Sequence, residues 1–358
     1  MIRKKIFVGM SGGVDSSVSA AILARAGHDV TGVFIKVWQP DWIECNWKEE
    51  RLEAMRAAAH LGIPFVTLDL EKEYKEGVID YMIAEYAAGC TPNPDVMCNR
   101  EVKFGAFWRW AQIQGADYIA TGHYARNESG HLLKGVDSNK DQSYFLWTLT
   151  QDDLKHVMFP VGGMTKPEVR KLAKKFRLPN AEKKDSQGLC FIGKVDIKEF
   201  LAHYTKGNPA AKLGNVLNEA GRIIGEHPGA LFFTIGERRG FDIDAAHKSP
   251  NDAAFYVVAK DMNKNTVTVS NKDTSGALAG AVKTVRISRV NWISGAPKIG
   301  AVLQARSRYR QALYLSKVVR IEGDRFQLKF EKAQDTLTPG QSLVMYDGEE
   351  CVGGGVII

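Results

Sequence analysis

The segment from residue 9 to residue 17, GMSGGVDSS, combines glycines, hydroxyls and a carboxylate directly after an apolar run. Glycines allow the backbone to approach a ligand closely, and a helix that follows them directs its first N–H groups at an anion. Asp15 would repel a bare phosphate, so we expect it to cap this helix or to hold Mg²⁺. The segment predicts a phosphate-binding loop, but it lacks the lysine of G-x-x-x-x-G-K-[ST] and does not match G-x-G-x-x-G.

Cysteines in two polar segments form the second candidate for chemistry. Cys98 lies in TPNPDVMCNREVKFG and Cys190 lies in AEKKDSQGLCFIG, and the proline and glycine content of these segments predicts long, functional loops. Five cysteines, an odd number, disfavour a disulfide framework. A zinc site is the rival interpretation, which the lack of a C-x₂-C pair weakens. We expect Cys45, Cys90 and Cys351 to be buried and inert.

The stretch SGGVDSS resembles the pyrophosphate loop of the ATP-pyrophosphatase group, whose members cleave ATP between the α- and β-phosphates and leave AMP on a substrate oxygen. The resemblance implies that the loop holds the leaving pyrophosphate, which explains the missing lysine. It also implies ATP with Mg²⁺ as the cofactor and no tightly bound metal. The ATP-binding residues that it implies are Gly9, Met10, Ser11, Gly12, Gly13, Val14, Asp15, Ser16, Ile35 and Gly122.

Further motifs occur in the same order along nearly the whole chain and resemble those of the tRNA-specific 2-thiouridylases. They are TPNPDVMCNREVKFG, ATGHYAR, KDQSYFLW, FPVGGMTKPEVR, KKDSQGLCFIG, FTIGERRG, RYRQ and TPGQSLVMYDGEECVGGGVI. Glu237 stands where we expect glutamine in this family, and Ile35 stands where methionine is frequent. These departures concern recognition of the nucleotide or of a partner rather than the reaction.

The resemblance implies a two-step reaction at the wobble uridine, U34, of tRNA. ATP adenylates the C2 oxygen, and sulfur from a cysteine persulfide then replaces that oxygen to give 2-thiouridine, AMP and pyrophosphate. Cys190 would carry the persulfide, received from a sulfur-relay protein or a cysteine desulfurase. Cys98 would be the nucleophile that releases the sulfur and forms a disulfide with Cys190, and Asp95 would act as acid or base.

The implied partner is the anticodon stem-loop of tRNA. The residues implied at the target base or elsewhere on the tRNA are Asn93, Pro94, Asp95, His123, Lys140, Asp141, Gln142, Arg308, Tyr309 and Gln341. Without the resemblance, we would interpret His123 as a core histidine and residues 140–142 as a charged turn. Residues 308–309 would then be a solvated strand edge, although an arginine beside an aromatic ring also suits a single-stranded base.

Alternating strand-like and helix-like segments must position these residues. The apolar runs KIFVGM, DVTGVFIKVW, PFVTLDL and ADYIATGHYA alternate with helical periodicity, which predicts an α/β fold with a doubly wound parallel sheet. Ligands of such sheets bind at the carboxyl ends of the strands. The resemblance makes this fold Rossmann-like, of the adenine nucleotide hydrolase type.

After residue 205, short alternating runs between Gly, Asn and Asp turns predict β structure. We therefore expect an ATP-binding catalytic domain over 1–204, a small central domain over 205–280 and a C-terminal β-barrel that binds tRNA over 281–358. Lys and Arg number 48 against 41 Asp and Glu in the chain, and the excess is concentrated in the last of these domains. A basic end domain fits a polyanion, although charge alone fits a solvated surface equally well.

The length of 358 residues is typical of two or three domains. No apolar run reaches the roughly 18 residues of a membrane span, so we expect no membrane partner. The apolar stretch after MIRKK is too short for a signal peptide, which predicts a cytoplasmic protein.

Two other functions remain open from the residues alone. A small-molecule amidating ligase could use the same phosphate loop but would have no need of Cys98 and Cys190. A non-catalytic RNA-binding protein could retain the nucleotide fold, and substitution of Asp15 or Cys190 would then leave its function unchanged.

Overall fold

The computed structural model describes residues 2–42, 47–184, 196–247, 254–270, 282–334 and 337–358. The strands are β1 Lys5–Gly9, β2 Asp29–Lys36, β3 Phe65–Asp69, β4 Tyr118–Ala120, β5 Ala125–Glu128, β6 His131–Lys134, β7 Val157–Met158, β8 Gly214–Leu217, β9 Ile223–His227, β10 Asp242–Ile243, β11 Tyr256–Asp261, β12 Thr266–Ser270, β13 Val282–Trp292, β14 Val302–Arg306, β15 Tyr314–Glu322, β16 Arg325–Gln334, β17 Ser342–Asp347 and β18 Glu350–Ile357.

The α-helices are α1 Val14–Arg25, α2 Trp47–Leu61, α3 Glu71–Tyr74, α4 Tyr81–Ala87, α5 Pro94–Met97, α6 Phe107–Ile113, α7 Gln151–Leu154, α8 Lys166–Lys175 and α9 Ile197–Tyr204. Two π-helical segments connect helices, Lys75–Asp80 between α3 and α4 and Cys98–Ala106 between α5 and α6. Short 3₁₀ turns occur at Ser143–Leu146, Pro209–Ala211, Ala230–Phe232 and Ala245–His247. Among the residues that the structure describes, no helix combines the length and the apolar character needed to cross a membrane.

The N-terminal sheet has the strand order β3-β2-β1-β4-β7 with every pairing parallel. This arrangement confirms the predicted doubly wound α/β sheet. Apolar side chains of β1 and β2 are fully or nearly buried because helices cover the sheet. The chain order reverses between β1 and β4, so the crevice expected to bind a ligand lies beyond Gly9 and Ala120, at the carboxyl ends of these two strands.

The segment around Cys98 is helical, and the prediction of a long loop there was wrong. Helix α5, the π-helical segment and α6 form a continuous helix from residue 94 to residue 113. Asn93 caps it by accepting a hydrogen bond from the Val96 amide at 3.3 Å, and proline occupies its first turn. Burial of Val102 and Phe107 in the main core supplies the stabilisation that the proline- and asparagine-rich pattern concealed.

The rest of the chain is largely β structure, as predicted. The central region forms a five-stranded sheet in the order β10-β9-β8-β12-β11. In the C-terminal region, β13, β16, β15, β14, β17 and β18 pair in this order, and a pairing of β13 with β18 closes them into a barrel. The β5–β6 hairpin of the N-terminal region extends this sheet at β18, where Leu133 pairs with Glu350.

Candidate functional site

The phosphate loop connects β1 to α1 and is held by its own side chains. The hydroxyls of Ser16 and Ser17 donate to the carbonyl of Gly13 at 3.2 and 3.0 Å, and the Ser11 amide donates to Ser16 Oγ at 3.3 Å. Gly12 has φ +77°, and a Cβ atom there would lie 2.4 Å from the carbonyl oxygen of Glu50, so only glycine fits. The first amides of α1 have no intrahelical partner, and together with the helix dipole they suit a phosphate.

Asp15 forms an ion pair that sequence reading missed. Its two carboxylate oxygens accept hydrogen bonds from Lys166 Nζ at 2.7 and 2.8 Å, and Tyr124 Oη donates to one of them at 2.8 Å. The N-cap of α1 is Gly13, which has no side-chain cap, so the capping role suggested for Asp15 was wrong. Asp15 lies inside the first turn of α1. Lys166 places a cation beside a phosphate loop whose own sequence contains no lysine. The TKPE segment predicts the start of α8 but not this distant partner.

Asn180 is a second support that the sequence did not reveal. Its side-chain amide donates to the carbonyls of Gly12 and Gly13 at 3.0 and 3.2 Å and to Ser17 Oγ at 2.9 Å. The side chain is buried, and these bonds occupy the carbonyls of Gly12 and Gly13. The loop therefore presents donors rather than acceptors toward a ligand.

The remaining predicted ATP-binding residues lie on the strands beside the loop. Gly122 follows β4, and a Cβ atom on it would lie 2.7 Å from the backbone nitrogen of Ser16, in front of the helix N-terminus. Met10 is buried beneath the loop, and Ile35 lies half-buried near the end of the adjacent strand β2. The structure thus brings the predicted ATP-binding residues to the same edge of the sheet, and it packs Gly122 so closely against the first turn of α1 that a larger residue would clash with the backbone there.

Asp95 and Cys98 lie one turn apart on the helix that Asn93 caps. Residues at positions i and i+3 share one helix face, so the carboxylate and the thiol are neighbours. Asp95 is solvent-accessible, but surrounding protein atoms desolvate its carboxylate and raise its pKa, an effect that Lys103 partly offsets. Cys98 is buried and begins the π-helical segment; such segments are frequent at functional sites.

His123 is buried between the phosphate loop and the helix over residues 94–113, which carries Cys98 and is named the cysteine helix below. Its Nδ1 atom lies 2.7 Å from Thr121 Oγ1, and its ring packs against Phe104 and Phe159 with centroid distances of 5.7 and 6.1 Å. Desolvation, with a smaller contribution from the charge of Lys103, lowers the pKa of His123 well below 6.5. The imidazole is therefore neutral at neutral pH and cannot supply a positive charge to the site.

The predicted RNA-binding residues of the barrel meet the segment that precedes Asp95. The Gln341 amide donates to the carbonyls of Thr91 and Pro92 at 2.8 and 3.4 Å. The Tyr309 ring lies 4.8 Å from that of Phe145, whose carbonyl accepts from Asn99 on the cysteine helix at 3.0 Å. Arg308 reaches the central region, where it donates to the Ile235 carbonyl at 3.3 Å. Residues from all three regions of the chain therefore converge beside Asn93 and Pro94.

The three residues 140–142 have different environments. The Asp141 carboxylate is 4% exposed and accepts a hydrogen bond from Arg306 at 2.6 Å, so the expectation that it contacts RNA directly does not fit its burial. Gln142 Oε1 accepts from the Tyr124 amide at 3.0 Å, and Lys140 is half-buried. Lys140 is the one cation among these three residues, and its partial exposure is compatible with a phosphate contact.

The remaining cysteines differ in exposure. Cys351 is fully buried, and desolvation raises its pKa to about 12, which makes its thiol inert. Cys90 is half-buried, and its pKa is also raised, mainly by desolvation. Cys45 and Cys190 lie outside the described residues. Within the described part of the chain, no three His, Cys, Asp or Glu side chains are grouped as metal ligands would be.

Models of known protein families match almost the entire chain. A model described as tRNA methyl transferase HUP domain matches residues 4–194, the corresponding PRC-barrel domain matches 198–271, and an aminomethyltransferase β-barrel domain matches 282–357. A protein of Streptococcus mutans named tRNA-specific 2-thiouridylase MnmA is 45% identical over 364 residues, covering 99% of this chain and 95% of that protein. Its namesake from Streptococcus thermophilus is 44% identical over 364 residues, with the same coverage.

Solved structures resemble a part of the chain. The U34-tRNA thiolase NcsA of Methanococcus maripaludis, solved with its [4Fe-4S] cluster, is 18% identical with a TM-score of 0.37 and covers 58% of this chain and 69% of its own. A 4-thiouridine synthetase in complex with RNA and ATP is 17% identical with a TM-score of 0.33 and covers 56% of this chain and 50% of its own.

Proposed function

This chain belongs to the tRNA-specific 2-thiouridylase family, and we propose that it uses ATP to replace the C2 oxygen of the wobble uridine, U34, of tRNA by sulfur. The observation that carries this proposal is the convergence of the phosphate loop and the cysteine helix. Gly122 packs on the loop, and the next residue, His123, packs on Phe104 of that helix. A uridine between them would meet an activating site on one side and a thiol on the other.

In the first step, the C2 oxygen of the uridine attacks the α-phosphorus of ATP and pyrophosphate leaves. The serines of the loop and the first amides of α1 would stabilise the departing pyrophosphate, with Lys166 as a cation beside the loop. Asp15 balances this cation and is the candidate to hold the Mg²⁺ that accompanies ATP. The base then carries AMP as a leaving group at C2.

In the second step, Cys190 presents a persulfide that a sulfur-relay protein or a cysteine desulfurase has supplied. The Cys98 thiolate attacks the sulfur bonded to Cys190 and expels hydrosulfide, which attacks C2 and displaces AMP, or Cys98 resolves an intermediate formed by direct attack of the persulfide. Both routes leave a Cys98–Cys190 disulfide, which an external thiol reduces. The raised pKa of Asp95 suits a group that exchanges a proton beside Cys98.

The base must leave its stack to reach this site. Tyr309 offers an aromatic face and Arg308 a guanidinium, which are the groups that hold single-stranded bases and their phosphates. Asn93, Pro94 and Gln341 would line the pocket for the base, and the anticodon stem-loop would lie along the barrel. We therefore assign catalysis and ATP binding to residues 1–204, tRNA binding to residues 281–358, and a supporting role to the small central domain over 205–280. A cytoplasmic location suits this substrate.

The decisive assay incubates the protein with ATP, a sulfur donor and unmodified tRNA, and analyses the tRNA in a gel that contains a mercury compound. Thiolated tRNA migrates more slowly because mercury binds sulfur. No retardation of any tRNA, under conditions in which the protein binds ATP, would refute the proposed function. An amidating ligase would instead release AMP without tRNA when given its own substrate.

Substitution of the cysteines separates the two steps. We expect Cys98→Ser and Cys190→Ser to abolish thiolation and to leave tRNA-dependent pyrophosphate release within about threefold of the unmodified protein, because adenylation needs neither thiol. Cys90→Ser is the matched control and should retain both activities. Loss of pyrophosphate release in Cys190→Ser would show that this residue acts before sulfur transfer.

A further inference from the structure

A buried ion pair between Arg306 and Asp141 joins the C-terminal barrel to the N-terminal region, which contains the phosphate loop. Arg306, the last residue of β14, donates from Nη2 to Asp141 at 2.6 Å and to Tyr346 Oη at 2.7 Å, and its Nε donates to the same Tyr346 oxygen at 3.0 Å. The side chains of Arg306 and Asp141 are 6% and 4% exposed. The second Asp141 oxygen accepts from the amides of Gly135 and Ser143 at 3.0 and 3.1 Å, so the carboxylate has several donors.

Arg306 is followed directly in the sequence by the turn that carries the proposed RNA contacts. Ser307 and Arg308 follow Arg306, and their amides both donate to Gln311 Oε1, at 2.9 and 3.1 Å. These bonds fold residues 307–311 into a tight turn with Tyr309 at its centre. The orientation of this turn therefore depends on where the end of β14 is held.

Asp141 is connected to the phosphate loop through hydrogen bonds of its neighbour Gln142 and of Tyr124. The residue after Asp141 is Gln142, whose side chain accepts from the Tyr124 amide at 3.0 Å and whose own amide donates to the Tyr124 carbonyl at 2.8 Å. The hydroxyl of Tyr124 donates to Asp15 in the first turn of α1 at 2.8 Å. A continuous set of short polar contacts thus connects the turn at 307–311 to the loop proposed to bind ATP.

The free-energy cost of burying Arg306 and Asp141 indicates that the pair serves to fix the orientation of the regions it joins. Removing a guanidinium and a carboxylate from water costs several kcal/mol per ion, and apolar residues of similar size are often as stabilising or more so. An apolar contact, however, permits sliding, whereas the planar guanidinium fixes direction through its several donors. Arg306 contacts Asp141 in one region and Tyr346 in another, so it fixes the orientation of the two regions relative to each other.

We infer that Arg306 is a positioning residue that aligns the RNA-contacting turn 307–311 with the phosphate loop, and that Asp141 is its anchor. The pair holds the target uridine at the distance and angle that attack on ATP requires. This inference rests on the proposed function and assigns Asp141, expected from the sequence to contact tRNA, a role inside the protein. Because both sites are aligned by the same pair, binding of ATP and binding of tRNA should strengthen each other by the same factor.

The test compares Arg306→Met with Arg306→Lys. We measure the Kd of unmodified tRNA by fluorescence anisotropy, with and without α,β-methylene-ATP, and the Kd of this analogue without tRNA. In the unmodified protein we expect the analogue to tighten tRNA binding about tenfold. Arg306→Met should reduce this factor to about one and leave the affinity for the analogue alone unchanged. Arg306→Lys, which keeps a cation on Asp141, should restore most of the factor.

Arg306→Met leaves the Asp141 charge buried without its cation, so its folding is monitored by thermal unfolding. If it unfolds, the double variant Arg306→Met/Asp141→Leu replaces the pair by apolar side chains and takes its place in the same measurement. A folded variant that retains the tenfold factor would overturn the inference, as would the lack of any such factor in the unmodified protein. If the factor is present but no tRNA is thiolated, the inference stands as RNA positioning and the proposed sulfur transfer fails.

Discussion

The phosphate loop and the region proposed to contact RNA are built in opposite ways. The loop is a short contiguous segment, and its serines hold it through hydrogen bonds to neighbours within five residues. The region proposed to contact RNA (below, the RNA-contacting region) combines Asn93, Arg308 and Gln341, which come from the N-terminal region and from two separate turns of the barrel. A phosphate can be bound by one turn of backbone, whereas a base that must be extracted and oriented needs contacts from several directions.

The contrast is incomplete, because even the loop depends on distant residues. Lys166 and Asn180 lie more than 150 residues away along the chain and bind Asp15 and the loop carbonyls. The two regions differ in whether the groups that bind the ligand lie close together in the sequence. In the loop the ligand-binding groups are local and the supports are distant, whereas in the RNA-contacting region the ligand-binding groups themselves are distant from each other.

The largest effect should follow from a substitution that displaces the first turn of α1, which begins at the phosphate loop. Gly122→Ala would place a Cβ atom 2.7 Å from the backbone nitrogen of Ser16. Overpacking of this kind costs about 1–3 kcal/mol, and if this cost falls on the bound state, ATP affinity should fall by roughly 5–150-fold. Equilibrium binding of ATP and of tRNA, each alone, tests the separation of the two regions, and tRNA affinity should stay within about twofold.

Gly163→Ala is the matched control, because a Cβ atom at Gly163 has no neighbour within 4 Å. It should leave both affinities unchanged. Equal losses of ATP and tRNA affinity in Gly122→Ala would show that the two regions are not separable and would contradict the comparison.

An effect of intermediate size is expected on the pH dependence of the free energy of unfolding, through His123, which lies where the two regions meet. Its pKa is lowered well below 6.5 in the folded chain by desolvation, so the unfolded chain binds the proton more readily. The free energy of unfolding should therefore be intact above pH 6.5 and fall as the pH drops below it, by up to about 1.4 kcal/mol per pH unit. Urea unfolding between pH 5 and pH 8 measures this slope.

In the His123→Gln variant the slope should become shallower by the contribution of one proton. The control is the same substitution at an exposed histidine, His247→Gln, measured over the same pH range. An unaltered slope in His123→Gln would mean that His123 binds its proton equally well in the folded and the unfolded chain, which would contradict the lowered pKa.

The smallest effect should come from a single contact of the RNA-contacting region. Gln341→Ala removes the hydrogen bonds to the carbonyls of Thr91 and Pro92, each worth about 1 kcal/mol at most. We expect the KM for tRNA to rise about threefold to tenfold and the KM for ATP to stay unchanged. The control is Gln334→Ala, at a side-chain amide that donates to the Lys332 carbonyl of its own strand. A rise in the KM for ATP would indicate that the barrel also shapes the loop.

Periodicity and local chemistry were sufficient for much of the fold. Buried strands with β-branched residues, separated by helices that end in glycine, predicted the parallel sheet, and the loop between β1 and α1 is where the glycines indicated. The β character after residue 205 also followed from the turn residues. These features depend on interactions between residues close in sequence, so their pattern is visible in the sequence.

Tertiary packing decided the remainder. The segment around Cys98 contains residues that favour turns, yet burial of Val102 and Phe107 in the core makes it a helix. Asp15 was expected to cap a helix, and Asp141 to contact RNA, but each pairs with a cation from a distant part of the chain. The sequence by itself determined which groups are available for phosphate and sulfur chemistry. Only the fold decided which charges are neutralised inside the protein, because burial and long-range pairing depend on the whole chain.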